Sequence, residues 1–357
     1  MATTPSTPNP FSPPDVQALL HHLLDDPVCS PFIDRLFPDR TPLYHRLASV
    51  HSVDRFQTTV MREQVQRIID TTTDGLSVSC SHALQPDKPY LFVANHRDIT
   101  LDAMLLDYAL VARGFTTPYV IFGANLLRVP LLADLGPLNK MVSMARGGSP
   151  RDFYRALSDT SHFIHDAVTR HHQSVWIAQR NGRTKDGDDR TDPAVIKMLS
   201  LAAPPHTPLA DALAPLAIVP VTISYEWEPC DLLKVHECCA PQPYVKSPDD
   251  DLISVVTGIT QPKGHVALSL ADPIAYDALA ACHDDPRAVA ALLDEAIRGH
   301  YTLHPSNRAA HHLLKGLDDM PPQLRQAADE LQRRMRLLDT ADAQQALLRL
   351  YARPTQP

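Results

Sequence analysis

The stretch LFVANHRDITLDAML (residues 91–105) holds three side chains of the kind that move protons: His96, Asp98 two positions on, and Asp102 six positions on. An imidazole can take a proton from a hydroxyl near neutral pH. A carboxylate on its other ring nitrogen fixes the tautomer and stabilises the imidazolium. The histidine follows an apolar run, YLFVAN, that reads as a strand, and Asp102 opens the helical pattern LDAMLLDYALVARG.

The triplet His96-Arg97-Asp98 also has the form of a protein-kinase catalytic loop. That chemistry requires an asparagine five residues after the aspartate, where this chain has Ala103. It also requires a glycine-rich phosphate loop, a strand lysine and an Asp-Phe-Gly motif. The chain has only 12 glycines and none of these motifs, so the kinase reading is excluded.

Cations recur at the ends of later apolar runs. LNKMVSMARGG reads as a strand ending at Arg146. SVWIAQRNGRTKDGDDRTD reads as a strand opening into a loop that carries Arg180, Asn181, Gly182, Arg183, Lys185 and Arg190. Guanidinium and ammonium groups gathered in this way would hold a phosphate-bearing acceptor. The plainer reading of the same loop is a solvated turn, with Arg183 and Lys185 paired to Asp186, Asp188 and Asp189. Neither KDGDDRTD nor CDLLKVHECC has the ligand spacing of a calcium loop or a zinc finger, so no metal is expected.

Positioning such groups requires a rigid frame. Strands are expected at LSVSC, YLFVAN, YVIFG, MVSMA, SVWIA, AIVPVTISY and HVALSL, with helices between them. The helix SPRDFYRALSDTSHFIHDAVTRHH begins with Ser149 at the N-cap and Pro150 at the first helical position. This alternation predicts an α/β fold: a mixed, largely parallel sheet flanked by helices. Residues 1–14 read as a disordered leader and 15–74 as an N-terminal helical cap. Residues 75–272 read as the main domain and 273–357 as a C-terminal helical extension.

The 357 residues, 44% hydrophobic and 21% charged, suffice for a sizeable core. A formal net charge of −8 argues against nucleic acid as a partner. Six scattered cysteines fit a reducing, cytoplasmic setting better than a disulfide framework. No apolar stretch reaches the roughly 18 residues that a span requires, so a membrane would be met peripherally.

Taken in order, NHRDITLD, the strand ending in Arg146, the Asn181-Gly182-Arg183 loop and IVPVTISY are similar to the four blocks of the phospholipid and glycerol acyltransferase family. The likeness is strongest to bacterial 1-acyl-sn-glycerol-3-phosphate acyltransferase-like members. It implies transfer of a fatty acyl chain from acyl-CoA or acyl carrier protein to a hydroxyl of 1-acyl-sn-glycerol 3-phosphate, with no cofactor. A glycerol-3-phosphate or other lysolipid acceptor stays open, as does a catalytically weak lipid- or acyl-carrier-binding homologue. By this resemblance His96 is the base, and Arg146, Asn181, Gly182, Arg183 and Lys185 meet the substrate. The family spacing would put the orienting aspartate at Leu101. Asp102, one position later, is the expected partner, with Asp98 as the alternative. Asn181 stands where the family has glutamate.

Overall fold

The computed structural model describes residues 11, 15–27, 30, 39, 41–124, 126, 135–144, 149–241, 244–247, 249–317 and 319–356. Of the expected 1–14 leader only Phe11 lies within that set, and Arg146 lies outside it.

Seven strands form one sheet among the described residues: β1 (Leu76–Cys80), β2 (Leu91–Ala94), β3 (Tyr119–Gly123), β4 (Met141–Met144), β5 (Val175–Ala178), β6 (Ile218–Tyr225) and β7 (Val266–Leu270). They are ordered β1-β7-β6-β2-β5-β3-β4, and every pair is parallel except β6 with β7. The sheet is therefore mixed and largely parallel, as the alternating pattern predicts. All four residues of β2 and all eight of β6 are buried, which is why both read as unbroken apolar runs rather than alternating ones.

Two apolar layers cover the sheet. On one face Phe92, Ala94, Trp176 and Val221 meet Leu105, Leu106 and Ala109 of the helix Leu101–Val111, with Val65 and Ile69 of the helix Arg62–Thr72. On the other, Leu91, Val93 and Ile177 meet Ile164 and Ala167 of Pro150–Thr169 and Leu293 of Pro286–Gly299. The Pro150–Thr169 helix starts in a capping box, in which Ser149 Oγ accepts from Asp152 N and Ser149 N donates to Asp152 Oδ2. Later helices, Pro305–Lys315, Arg325–Met335 and Ala341–Ala352, gather around Val235, Leu331 and Leu347 as a separate core.

The sheet order has one consequence for the site. β6 runs beside β2 in the same direction, and β7 returns antiparallel from Val266, which pairs with Tyr225. The described residues between Tyr225 and Val266 must therefore lie at the carboxyl edge of the parallel strands. They fold there as two helices, Asp231–Cys239 and Asp250–Thr260. In open α/β sheets the crevice at that edge is where ligands bind.

Candidate active site

His96 stands two residues past the end of β2, on the central strand of this edge. Asn95 fixes the departure of the chain. Its amide Nδ2 donates to Ile223 O and Asp189 Oδ2 (both 2.9 Å), and its Oδ1 accepts from Ile223 N at 2.8 Å. His96 O accepts from Thr184 N at 2.8 Å, so the loop after β5 is tied directly to the histidine's backbone.

Nδ1 of His96 lies 3.0 Å from Asp102 Oδ2. A carboxylate can only accept, so Nδ1 carries the hydrogen and Nε2 offers its lone pair. The same Oδ2 takes Arg97 N at 2.7 Å and Asp98 N at 2.9 Å, while Oδ1 takes the Tyr225 hydroxyl at 2.9 Å. Asp102 also sits in the first turn of its helix, where the dipole favours a negative charge. With four donors and a side chain only 2% exposed, it is a fixed anion. His96 keeps 15% of its side chain open and packs edge-on to Trp176, with ring centroids 5.9 Å apart. Burial, reinforced by Asp102, holds the Tyr225 phenol well above its ordinary range, so it stays a neutral donor.

The chain accommodates its wider spacing by wrapping the backbone N–H groups of Arg97 and Asp98 around the carboxylate. Asp98 points elsewhere. Its Oδ1 accepts from Thr100 N and Leu101 N (both 2.9 Å), satisfying N–H groups at the start of the 101–111 helix. Asp98 makes no hydrogen bond to His96 among the described residues.

Arg97 is a structural ion, 1% exposed. It is bound to Asp189 at 2.6 Å and Glu228 at 3.3 Å, with its guanidinium 5.2 Å from the centre of the Tyr301 ring. Burial opposes its charge, but Asp189, Tyr301 and Glu228 together hold its pKa well above the usual guanidinium value. Lys234 Nζ joins the same cluster, donating to Glu228 and to the Arg97 carbonyl (both 2.6 Å).

The 180–190 loop divides its residues. Asn181 and Gly182 are exposed, and Gly182 has φ +78°, a left-handed turn that suits glycine. Arg183 is turned inward, 4% exposed, with Nη2 donating to Ser254 Oγ at 3.1 Å and 3.5 Å from Glu237 Oε1. Lys185, 35% exposed, pairs with the same Glu237. Neither uses the nearby aspartates of its own loop for these contacts. Asp189 serves Arg97, and Asp188 serves Arg190 and Arg353.

Cys230 lies close by, its Sγ 3.2 Å from Ser254 O. Burial, with Asp98 beside it, raises its pKa to about 11, so it stays a thiol and not a thiolate nucleophile. Three contributors escaped sequence reasoning: Tyr225, Asn95 and Glu237. Tyr225 closes the IVPVTISY strand, which lies next to the histidine strand, so a polar tip ending an apolar run was its signal. Glu237 gave none, because its contacts cross 54 residues of chain.

The fold and site define an α/β protein whose central strand delivers a histidine, backed by a buried carboxylate, to the carboxyl edge of a mostly parallel sheet. Residues 75–224 match the family model described as Acyltransferase. Among solved structures, the 1-acyl-sn-glycerophosphate (LPA) acyltransferase PlsC from Thermotoga maritima is similar at 14% identity. The alignment covers 80% of this chain and 94% of that one, with a TM-score of 0.42. No curated protein matches the chain. The family match ends within the Val-Pro-Val-type strand β6, just before the helices Asp231–Cys239 and Asp250–Thr260. No helix among the described residues is long and apolar enough to cross a membrane.

Proposed function

We propose that this protein transfers a fatty acyl chain from acyl-CoA or acyl carrier protein to the free hydroxyl of 1-acyl-sn-glycerol 3-phosphate. The observation that carries this reading is the 3.0 Å contact of His96 with a saturated, buried Asp102, which leaves Nε2 of a partly open imidazole as the available base. The acceptor hydroxyl loses its proton to Nε2 as its oxygen attacks the thioester carbonyl. The tetrahedral intermediate collapses, the C–S bond breaks, and the imidazolium returns the proton to the departing thiolate. Asp102 stabilises the transient imidazolium. Arg183 and Lys185, with Arg146 by its place in the sequence, hold the acceptor phosphate. Asn181 and Gly182 line its approach. Neither metal nor further cofactor takes part, and the protein works at the cytoplasmic membrane surface.

The test is turnover of labelled acyl-CoA or acyl carrier protein with lysophosphatidate. Activity abolished by His96→Ala supports the reading, and no turnover with either donor and any lysolipid overturns it. Glycerol 3-phosphate in place of lysophosphatidate tests the acceptor. The second reading, a lipid- or carrier-binding protein with little turnover, is favoured by Asn181, which lacks the carboxylate usual at that place.

A further inference from the structure

Two cations of the 180–190 loop, Arg183 and Lys185, share one carboxylate, Glu237, and it comes from the helix Asp231–Cys239, beyond the part of the chain that matches the family model. The arrangement is incomplete as an ion pair. Arg183 meets Glu237 through a single nitrogen at 3.5 Å, where a guanidinium could form two parallel bonds near 2.8 Å. Its other terminal nitrogen, Nη1, is buried with no hydrogen-bond partner among the described residues. A buried N–H left unpaired is costly, so the position calls for a water or an anion that completes it. Lys185, 35% exposed, marks the side of the pair that is open to solvent.

The pair is also attached to the histidine. Thr184, between Arg183 and Lys185, donates its N–H to His96 O. Ser254, the other partner of Arg183, belongs to the helix Asp250–Thr260, whose Gly258 packs against Asp98. An anion on Arg183 and Lys185 is thus held by the same loop that fixes the base.

We propose that Glu237 occupies the position of a phosphomonoester on Arg183 and Lys185, and that an acceptor's phosphate binds by displacing it. This rests on the acyl-transfer reading for its substrate class but concerns binding alone. A dianionic phosphate cannot share the two cations with a fixed carboxylate without like-charge repulsion, so Glu237 sets a threshold of charge and fit for the acceptor. Neutral hydroxyl acceptors do not displace it.

The experiment is calorimetric titration of the full-length chain with inorganic phosphate, glycerol 3-phosphate and micellar lysophosphatidate. It compares wild type, Glu237→Gln and Glu237→Asp, with thermal melts to verify folding. Removing the charge should tighten phosphate binding about tenfold in Glu237→Gln, while Glu237→Asp stays near wild type. Adding Lys185→Gln to Glu237→Gln should cancel the gain. A gain with all three ligands, or with lysophosphatidate alone, supports displacement and tells a bare phosphate site from one that needs the lipid. Unchanged or weaker binding in a folded Glu237→Gln overturns it, as does no binding to any variant. Phosphate binding by a wild-type protein that turns over no lysolipid with either donor would instead count against the acyl-transfer reading alone.

Discussion

Tyr225 donates its hydroxyl to Asp102 Oδ1 at 2.9 Å, on the carboxylate oxygen opposite the one that meets His96. The contact joins the last residue of β6 to the first turn of the 101–111 helix and prevents the carboxylate from rotating away from the imidazole. Tyr225→Phe removes one charged hydrogen bond and should lower stability by about 1–2 kcal/mol. Under the proposed mechanism kcat falls roughly tenfold with KM little changed, because the loss is in orientation rather than binding. Steady-state kinetics with a parallel urea melt measure both.

The two aspartates should separate in the same assay. Asp102→Asn keeps the shape but removes the anion behind the histidine, and kcat should fall by at least about 10³. Asp98→Asn keeps an oxygen able to accept from Thr100 N and Leu101 N, so activity should stay within a few-fold of wild type. A dead Asp98→Asn beside an active Asp102→Asn would reverse the roles.

Gly258 is a steric requirement. A Cβ there would lie 2.3 Å from Asp98 Oδ2, and Asp98 is wholly buried under that helix. Gly258→Ala should destabilise the fold by about 1–3 kcal/mol. It should also slow turnover, since the displaced loop is the one carrying His96. A melting temperature and kcat equal to wild type would show that the helix shifts freely.

Stability should also carry a signature of His304. Burial lowers its pKa to about 4, with His265 adding to the effect, against about 6.5 in an unfolded chain. Below pH 6.5 the unfolded chain takes up a proton that the folded one refuses. The stability held above pH 6.5 is therefore lost as pH falls towards 4, by up to about 3 kcal/mol. Burial raises Asp107 to about 8, which acts with the opposite sign, so the informative quantity is a difference. Melts from pH 7.5 to 4.5 should fall more steeply for wild type than for His304→Asn, and parallel curves would remove His304 from the account.

Local signals carried a large part of the fold. Each of the seven expected strands is present among the described residues, and Ser149-Pro150 marks its helix start. β2 and β6, buried throughout, read as unbroken apolar runs, β1 alternates, and capping chemistry acts over a few residues. The likeness carried by NHRDITLD, the Asn181-Gly182-Arg183 loop and IVPVTISY agrees with the family match over residues 75–224. Those features the sequence determined by itself. It favoured Asp102 over Asp98 only through the family resemblance, since both are near His96 in sequence. The choice is made by the phase at which the helix begins and by Tyr225, 123 residues away. Nor could it show that Arg97 is locked between Asp189 and Glu228, or that Glu237 bridges Arg183 and Lys185. Charges pair according to distance in space and the dielectric around them, and only the folded chain sets either.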